Sequence, residues 1–244
     1  SRTAATGNSN FGYIGGGQQL GSRTYVQRID YSNDSTTTSP KGALVLAKYV
    51  HSATSSTTHG YFSAGKSPAA PSTGWSNTDR IDYSNDTATA VDKSPLSAAR
   101  AYHAGTSSRD YGNPTALTKT VDKGSDGLQP ISFGPAYGYL AGGVTISTVQ
   151  RIDYASDTST PTIAHGLHTE QSKGGGAGNI THGYTFGGDA YSAPSTITFR
   201  LDYSNDAVVP VSKGKLSAAG NYMSSVGNAN FGYSGGRHNP TTGS

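Results

Sequence analysis

The chain contains no cysteine, one methionine and one tryptophan among its 244 residues, and only 14% of its residues are charged. Without a single thiol, a disulfide-bonded scaffold, a thiolate metal site and a cysteine-dependent enzyme are excluded. The formal net charge of +3 is too small for the basic face with which nucleic-acid-binding proteins neutralise a row of phosphates. We therefore expect no nucleic-acid partner.

Long apolar runs are absent as well. The most apolar window, residues 42–47, ends at Lys48, whereas a helix that spans a bilayer needs about 20 apolar residues. We expect no membrane insertion. The chain is rich in glycine, with 33 residues, and in tyrosine, with 16, and this composition favours short strands and tight turns over helices. One all-β domain is expected over residues 1–244.

A phrase of seven residues occurs four times along the chain. It begins with arginine, has Asp-Tyr at its third and fourth positions and ends with aspartate, at residues 28–34, 80–86, 151–157 and 200–206. A Gly-Tyr phrase with one or two following glycines precedes each copy and occurs once more near the C-terminus, with tyrosines Tyr13, Tyr61, Tyr139, Tyr184 and Tyr233. Because a missed repeat misassigns the whole fold, this periodicity takes precedence over any single motif.

One interval between these tyrosines is too long. Tyr61 and Tyr139 are 78 residues apart, whereas the other neighbouring tyrosines are 45 to 49 residues apart. We expect a degenerate unit inside this interval, with Tyr111 in the tyrosine slot and Asp122 at the first aspartate of its phrase. The predicted units are residues 1–41, 42–95, 96–127, 128–165, 166–214 and the half unit 215–244.

Within a unit the apolar pattern has a period of two. Ile29 and Tyr31 point to one face while Arg28 and Asp30 point to the other, which predicts a β-strand with one apolar face. The following Ser-Asn-Asp is typical of a turn. Each unit has room for about four strands, and a single sheet of this kind buries too little apolar surface to be stable alone. Sheets can stack radially as a propeller or linearly as a solenoid, and a repeat of about 50 residues favours the propeller.

The order of these segments resembles the kelch repeat. A small-residue strand, a tyrosine, a double glycine, a hydrophobic-Asp-Tyr strand and an Asn/Asp turn are followed by Leu-Ser-Ala-Ala-Arg at residues 96–100, although Trp75 is the only tryptophan. The resemblance implies a kelch-like β-propeller of five or six blades, each a four-stranded repeat of about 50 residues.

The amino-acid sequences of the repeated phrases also resemble those of tandem-repeat proteins of marine tailed bacteriophages, which are assigned to virion appendages such as tail fibres. This resemblance implies a location on the virion surface or outside the cell. It implies other virion proteins, or copies of the chain itself, as partners.

The motifs indicate no catalytic site, cofactor site or metal site. Glu170 is the only glutamate, whereas a glycosidase needs two carboxylates across a cleft. The glycine run at residues 174–178 lacks the lysine and the hydroxyl residue of a phosphate-binding loop. The Asp-x-Ser-Asn-Asp turn offers oxygen ligands that Ca²⁺ accepts, but its recurrence in every unit favours a turn-capping role. We therefore expect a protein that is not an enzyme.

Two sets of residues are candidates for specific roles. Loop aromatics stack on sugar rings when they are exposed, and the residues predicted to bind a host-surface glycan are Trp75, Tyr102 and Tyr191. The repeated arginines and first aspartates of the phrase are predicted to form ion pairs that orient neighbouring strands, rather than a charged ring for an anionic ligand. They are Arg28, Asp30, Arg80, Asp82, Arg151, Asp153, Arg200 and Asp202.

The predicted function is that of a non-enzymatic structural or adhesion protein of a virion appendage. Its propeller loops would bind a host glycan or other virion subunits. Two alternatives stay open at this point: an enzyme or accessory domain that acts on polysaccharide, and a structural spacer that joins copies of itself.

Overall fold

The computed structural model describes residues 2–19, 21–67, 74–107, 137–158, 160–167, 169–179, 181–191, 193–228 and 230–236. This part of the chain contains twenty strands and one 3₁₀ turn, Tyr203–Asn205. No helix in it has the length and apolar character that a membrane crossing needs. Two residues predicted to mark the degenerate unit, Tyr111 and Asp122, lie outside the described residues.

Most strands belong to four antiparallel sheets of four strands each, arranged in chain order. The first sheet contains β1 (Ala4–Gly7), β2 (Phe11–Gly15), β3 (Val26–Asp30) and β4 (Ser39–Lys41). The second contains β5 (Ser52–Ser55), β6 (His59–Ser63), β7 (Thr78–Asp82) and β8 (Val91–Lys93). The third contains β9 (Ala104–Ser107), β10 (Tyr137–Ala141), β11 (Thr148–Asp153) and β12 (Thr162–Gly166).

The fourth sheet carries an inserted hairpin. Its chain order is β13 (Gly175–Gly178), β14 (His182–Phe186), the hairpin strands β15 (Asp189–Ala190) and β16 (Ala193–Pro194), then β17 (Thr198–Asp202) and β18 (Val211–Ser212). A last sheet has only two strands, β19 (Ser224–Gly227) and β20 (Gly232–Gly235).

The structure confirms an all-β, propeller-like arrangement of four-stranded sheets, but the predicted number of blades is wrong. Four such sheets are present in the described chain, not five or six. The reason is that β9 and β10, on either side of residues 108–136, pair with each other, with Thr106 opposite Tyr139. Antiparallel pairing tolerates a long connection because the entropic cost of closing it grows only slowly with its length. The extra length of the interval between Tyr61 and Tyr139 therefore lies between two neighbouring strands of one sheet.

The hydrophobic core lies between the sheets. Successive innermost strands contact one another in the order β1, β5, β9, β13 and β19. Between the first two sheets the buried side chains are Tyr13, Val26, Leu44, Phe62, Ile81, Tyr83 and Ala90. Burying one large apolar side chain contributes about 1.5–3 kcal/mol, so each sheet gains its stability from its neighbours.

A repeated polar contact joins each of the first three sheets to the next. Tyr61 Oη and Arg80 Nη1 both donate to Asp157 Oδ2 of the following sheet, over 3.0 and 2.7 Å. The same contact joins Tyr13 and Arg28 to Asp86, and Tyr139 and Arg151 to Asp206. In all three contacts the first tyrosine also stacks on the tyrosine of the next phrase, with ring centroids 4.9 Å apart. We call this arrangement the inter-sheet contact.

Three of the four phrase arginines, Arg28, Arg80 and Arg151, therefore pair with a different aspartate from the one that the sequence suggested. They contact the last aspartate of the next phrase, whereas the first aspartate of each phrase caps its own turn. Asp30 accepts hydrogen bonds from the amide and the hydroxyl of Ser32, at 2.9 and 2.6 Å, and Asp82 and Asp202 do the same. Donors two residues along the chain satisfy this carboxylate locally, which leaves the arginine to reach across to the next sheet.

The glycine that precedes the repeated tyrosine in each of the four-stranded sheets is explained by a close approach. A Cβ atom on Gly138 would lie 2.5 Å from Tyr154 Oη and 2.7 Å from Thr54 Oγ1. Only glycine leaves room for the phrase tyrosine to lie across the strand and reach the preceding sheet.

Candidate functional site

One end of the propeller, where the innermost strands begin, brings together equivalent residues from successive sheets. The amide of Val50 donates to the carbonyl of Arg2, that of Tyr102 to Val50, and that of Lys173 to Tyr102. These four residues and Tyr222 have φ between 50° and 67°, a left-handed conformation that is costly for residues other than glycine. The backbone therefore forms a continuous arc that presents one side chain from each sheet at this end.

Aromatic rings and cations converge on this arc in what we call the axial cluster: Arg2, Tyr49, Lys66, Tyr102, Lys173 and Tyr222. Tyr102 lies at its centre, because its ring centroid is 5.7 Å from Lys66 Nζ and 5.9 Å from Lys173 Nζ. The ring of Tyr222 meets it edge-on, with centroids 6.0 Å apart. Burial, together with the neighbouring Tyr222 hydroxyl, raises the pKa of Tyr102 above its ordinary value. Contacts of cations with aromatic faces within about 6 Å are attractive and hold this cluster together.

The axial cluster carries excess positive charge. Lys173 is paired with buried Asp189, whose carboxylate lies 2.5 Å from its Nζ. Arg2 donates to the side-chain oxygen of Gln18. Neither Arg2 nor Lys66 forms an ion pair within the part of the chain that the structure describes. Two cations at this end are therefore available to an anionic group.

Two buried cations lie next to the axial cluster in the sequence. Lys48 is completely buried and pairs with Asp79 over 3.3 Å; burial lowers the pKa of Lys48 and raises that of Asp79. Arg100 is 1% exposed and donates to three backbone carbonyls. Burial lowers the pKa of Arg100 to about 10, so it remains charged at neutral pH. No carboxylate among the described residues pairs with Arg100, so its charge adds to the positive electrostatic potential at the end of the propeller that holds the axial cluster.

Two histidines are buried in the same loops. The ring nitrogens of both His51 and His103 are enclosed within the protein. Burial lowers the pKa of His51 to about 3, and that of His103 lies well below its ordinary value. Both rings are neutral at pH 7 and add no charge to this end. The described residues contain no group of three histidine, aspartate or glutamate side chains arranged to hold a metal ion.

The three aromatic residues predicted from the sequence lie in different settings. Tyr102 is half-buried at the centre of the axial cluster. Tyr191 is 70% exposed between the hairpin strands β15 and β16. Trp75 is partly buried, its carbonyl accepts from the Arg100 amide and its indole nitrogen is enclosed. Of the three, only Tyr102 belongs to the axial cluster.

The sequence interpretation did not identify the other members of the axial cluster. Arg2, Tyr102, Lys173 and Tyr222 occupy the same place before the innermost strands β1, β9, β13 and β19. Their equivalent position in each repeat was a signal that sequence analysis could have used. However, these residues are far apart in the sequence, and only the arrangement of the sheets around one axis shows that they form a shared site.

The comparisons with known proteins support the fold. No protein-family model matches the chain, and no curated protein matches it. Among solved structures 182 chains match. One of them, titled "Structure of YjhT", has a TM-score of 0.67 and 9% sequence identity, over 92% of this chain and 69% of that chain. At this identity the likeness concerns the fold alone.

Proposed function

We propose that this chain is a non-enzymatic adhesion module of a phage virion appendage that binds an acidic host-surface glycan at the axial cluster. The observation that carries the glycan assignment is the convergence of three tyrosines with two cations that have no described acidic partner. Tyrosine rings offer flat apolar faces and hydroxyls to a sugar, and arginine and lysine form charge-assisted hydrogen bonds with carboxylates.

The position of the cluster also supports this proposal. It lies on loops at one end of a rigid β scaffold, where binding residues are commonly presented. The backbone arc fixes Tyr102 and Lys173 through amide–carbonyl hydrogen bonds of 2.8 and 2.7 Å. A preorganised site loses less conformational entropy when it binds a ligand.

The virion location is supported by the resemblance of the repeated phrases to phage appendage proteins. Electron microscopy of virions labelled with an antibody against this chain tests it. Labelling of the appendages is expected, and labelling confined to the host cytoplasm would count against the location.

The glycan assignment is tested by calorimetry with a uronic-acid oligosaccharide and with its carboxyl-reduced, neutral counterpart. Tighter binding of the acidic form is expected, with an affinity that falls as salt is added because exposed charges are screened. Lys66→Gln should weaken binding about threefold, since exposed ion pairs contribute about 0.2–1 kcal/mol. Tyr102→Ala should weaken it about tenfold through loss of the central ring.

Matched variants separate the site from general charge effects. Lys215→Gln removes an exposed lysine outside the axial cluster and should leave the affinity unchanged. Tyr102→Phe keeps the ring and should bind more tightly than Tyr102→Ala. Equal affinity for the acidic and neutral oligosaccharides, or equal losses in the two lysine variants, would refute the assignment. Shortening of the oligosaccharide during incubation would instead favour the alternative of a polysaccharide-acting enzyme.

A further inference from the structure

The last sheet exposes apolar side chains, among them a tyrosine at a position that the first three sheets bury. Val226, Phe231 and Tyr233 are 67%, 63% and 57% exposed. The tyrosines that hold the place of Tyr233 in the first three sheets are completely buried: Tyr13, Tyr61 and Tyr139. Among the described strands β20 pairs only with β19. In every four-stranded sheet the other edge of this second strand pairs with a third strand, which carries the repeated phrase.

The fourth sheet holds half of an inter-sheet contact. Tyr184 and Arg200 are cross-strand partners, as Tyr61 and Arg80 are in the second sheet. In the first three sheets such a pair shares an aspartate of the next sheet. Within the described part of the chain Arg200 makes no ion pair, and neither Tyr184 nor Arg200 donates a side-chain hydrogen bond to a carboxylate.

We propose that the edge of β20 that no described strand pairs, together with Tyr184 and Arg200, forms a binding site for an extended strand that carries the phrase Arg-Ile-Asp-Tyr-Ser-Asn-Asp. Exposed strand edges recruit strands through main-chain hydrogen bonds, and side-chain positions on alternate residues provide the specificity.

The internal repeats define the register of this added strand. Ile29 lies opposite Gly12 and Arg28 opposite Tyr13 in the first sheet, so the added isoleucine lies opposite Gly232 and the added arginine opposite Tyr233. Arg28 also lies over the ring of Phe11, with its Cζ 4.2 Å from the ring centroid. The added arginine covers Phe231 in the same way.

The remaining residues of the added phrase complete the inter-sheet contact. By analogy with Tyr31, which lies over Gly12, its tyrosine packs over Gly232 and stacks on Tyr184. Its last aspartate accepts hydrogen bonds from Tyr184 and Arg200, as Asp206 does from Tyr139 and Arg151. The guanidinium of Arg200, which has no acidic partner among the described residues, and the carboxylate of the phrase have complementary charges, which selects this phrase over an arbitrary apolar strand.

A synthetic peptide of residues 76–93, which form the β7–β8 strand pair in the second sheet, is the probe. Its binding to the full chain is measured by fluorescence anisotropy, and hydrogen exchange locates the site. Saturable binding is expected, with slower exchange at the amides of residues 232–235. Arg200→Ala in the protein, or Asp86→Ala in the peptide, should each weaken binding about tenfold or more. The two changes together should weaken it no further, because they remove the same interaction.

Matched controls use one arginine and one carboxylate outside the contact. Arg23→Ala in the protein and Asp92→Ala in the peptide should leave the affinity within about twofold of wild type, and the peptide variants need no folding. The proposal would be overturned if the peptide showed no saturable binding at concentrations up to roughly 1 mM, where even weak interactions are detected. Equal affinity for a scrambled peptide, or insensitivity to both Arg200→Ala and Asp86→Ala, would do the same. Dimers of the chain that persist in excess peptide and block its binding would also overturn it.

Discussion

Replacing Asp157 by alanine is expected to lower the free energy of unfolding by about 3 kcal/mol. The side chain is 8% exposed, accepts hydrogen bonds from Tyr61 and Arg80, and lies 3.2 Å from Lys93 Nζ. Removing one partner of a buried charge pair costs about 3–5 kcal/mol. The side chains of Arg80 and Lys93 are 25% and 13% exposed, so water solvates them in part and the loss falls at the lower end of this range.

Asp34 provides an internal control for this experiment. It holds the same position in the first phrase as Asp157 in the third, but no tyrosine or arginine of another described sheet contacts it. Asp34 is exposed and makes no side-chain hydrogen bond or ion pair among the described residues. Asp34→Ala should therefore change stability by less than about 0.5 kcal/mol.

Urea denaturation of both variants, followed by circular dichroism, measures the two losses, and thermal melts check them. With about 2–4 °C per kcal/mol for a chain of this size, Asp157→Ala should melt roughly 6–12 °C below wild type. Similar losses in the two variants would show that the repeated aspartate acts within its own turn, and would refute the stabilising role of the inter-sheet contact.

Three further predictions concern the same interfaces. Burial opposes ionisation of Asp86 and Asp157, but hydrogen bonds from tyrosine, arginine and lysine outweigh it and lower the pKa of both carboxyls. The stabilisation that these carboxylates provide is present above the unfolded pKa of about 3.9 and is lost as the pH falls through the folded pKa. Urea unfolding measured between pH 7 and pH 2 should therefore show a fall in the free energy of unfolding below about pH 4. Asp157→Asn should make this fall smaller. Tyr61→Phe should keep the ring stacking on Tyr154 and cost about 1.5–3 kcal/mol through the lost hydrogen bond to a charged acceptor; a denaturation midpoint equal to that of wild type would contradict this. Gly138→Ala should destabilise the chain by about 1–3 kcal/mol because its new methyl collides with the Tyr154 hydroxyl, and a neutral effect in urea melts would contradict the close approach.

Much of the local structure was predictable because it depends on neighbouring residues. The alternation around Arg28 and Asp30 indicates a strand, and Ser-Asn-Asp indicates the turn that ends it. The glycine before Tyr139 indicates a close approach, although the atom that approaches, Tyr154 Oη, comes from a residue later in the chain. The number of blades was mispredicted because spacing along the chain does not reveal that β9 and β10 pair across residues 108–136.

The candidate site was predictable only in part. Tyr102 was predicted to bind a glycan, but its place at the centre of the cluster comes from Lys66, Lys173 and Tyr222, whose side chains reach it from other sheets. Local sequence patterns carry no information on such contacts. Trp75 shows that a rare aromatic residue predicted to bind a ligand from a loop can instead be partly enclosed, because its indole nitrogen is buried.

By itself, the sequence determined that this protein consists of short antiparallel strands in repeated sheets that must pack on one another, because strand, turn and repeat signals lie within a single unit. Only the tertiary structure decided which aspartate each arginine contacts, how many sheets form, and which side chains meet at the axial end. These features depend on contacts between residues from different units, and such contacts exist only once the sheets have packed around a common axis.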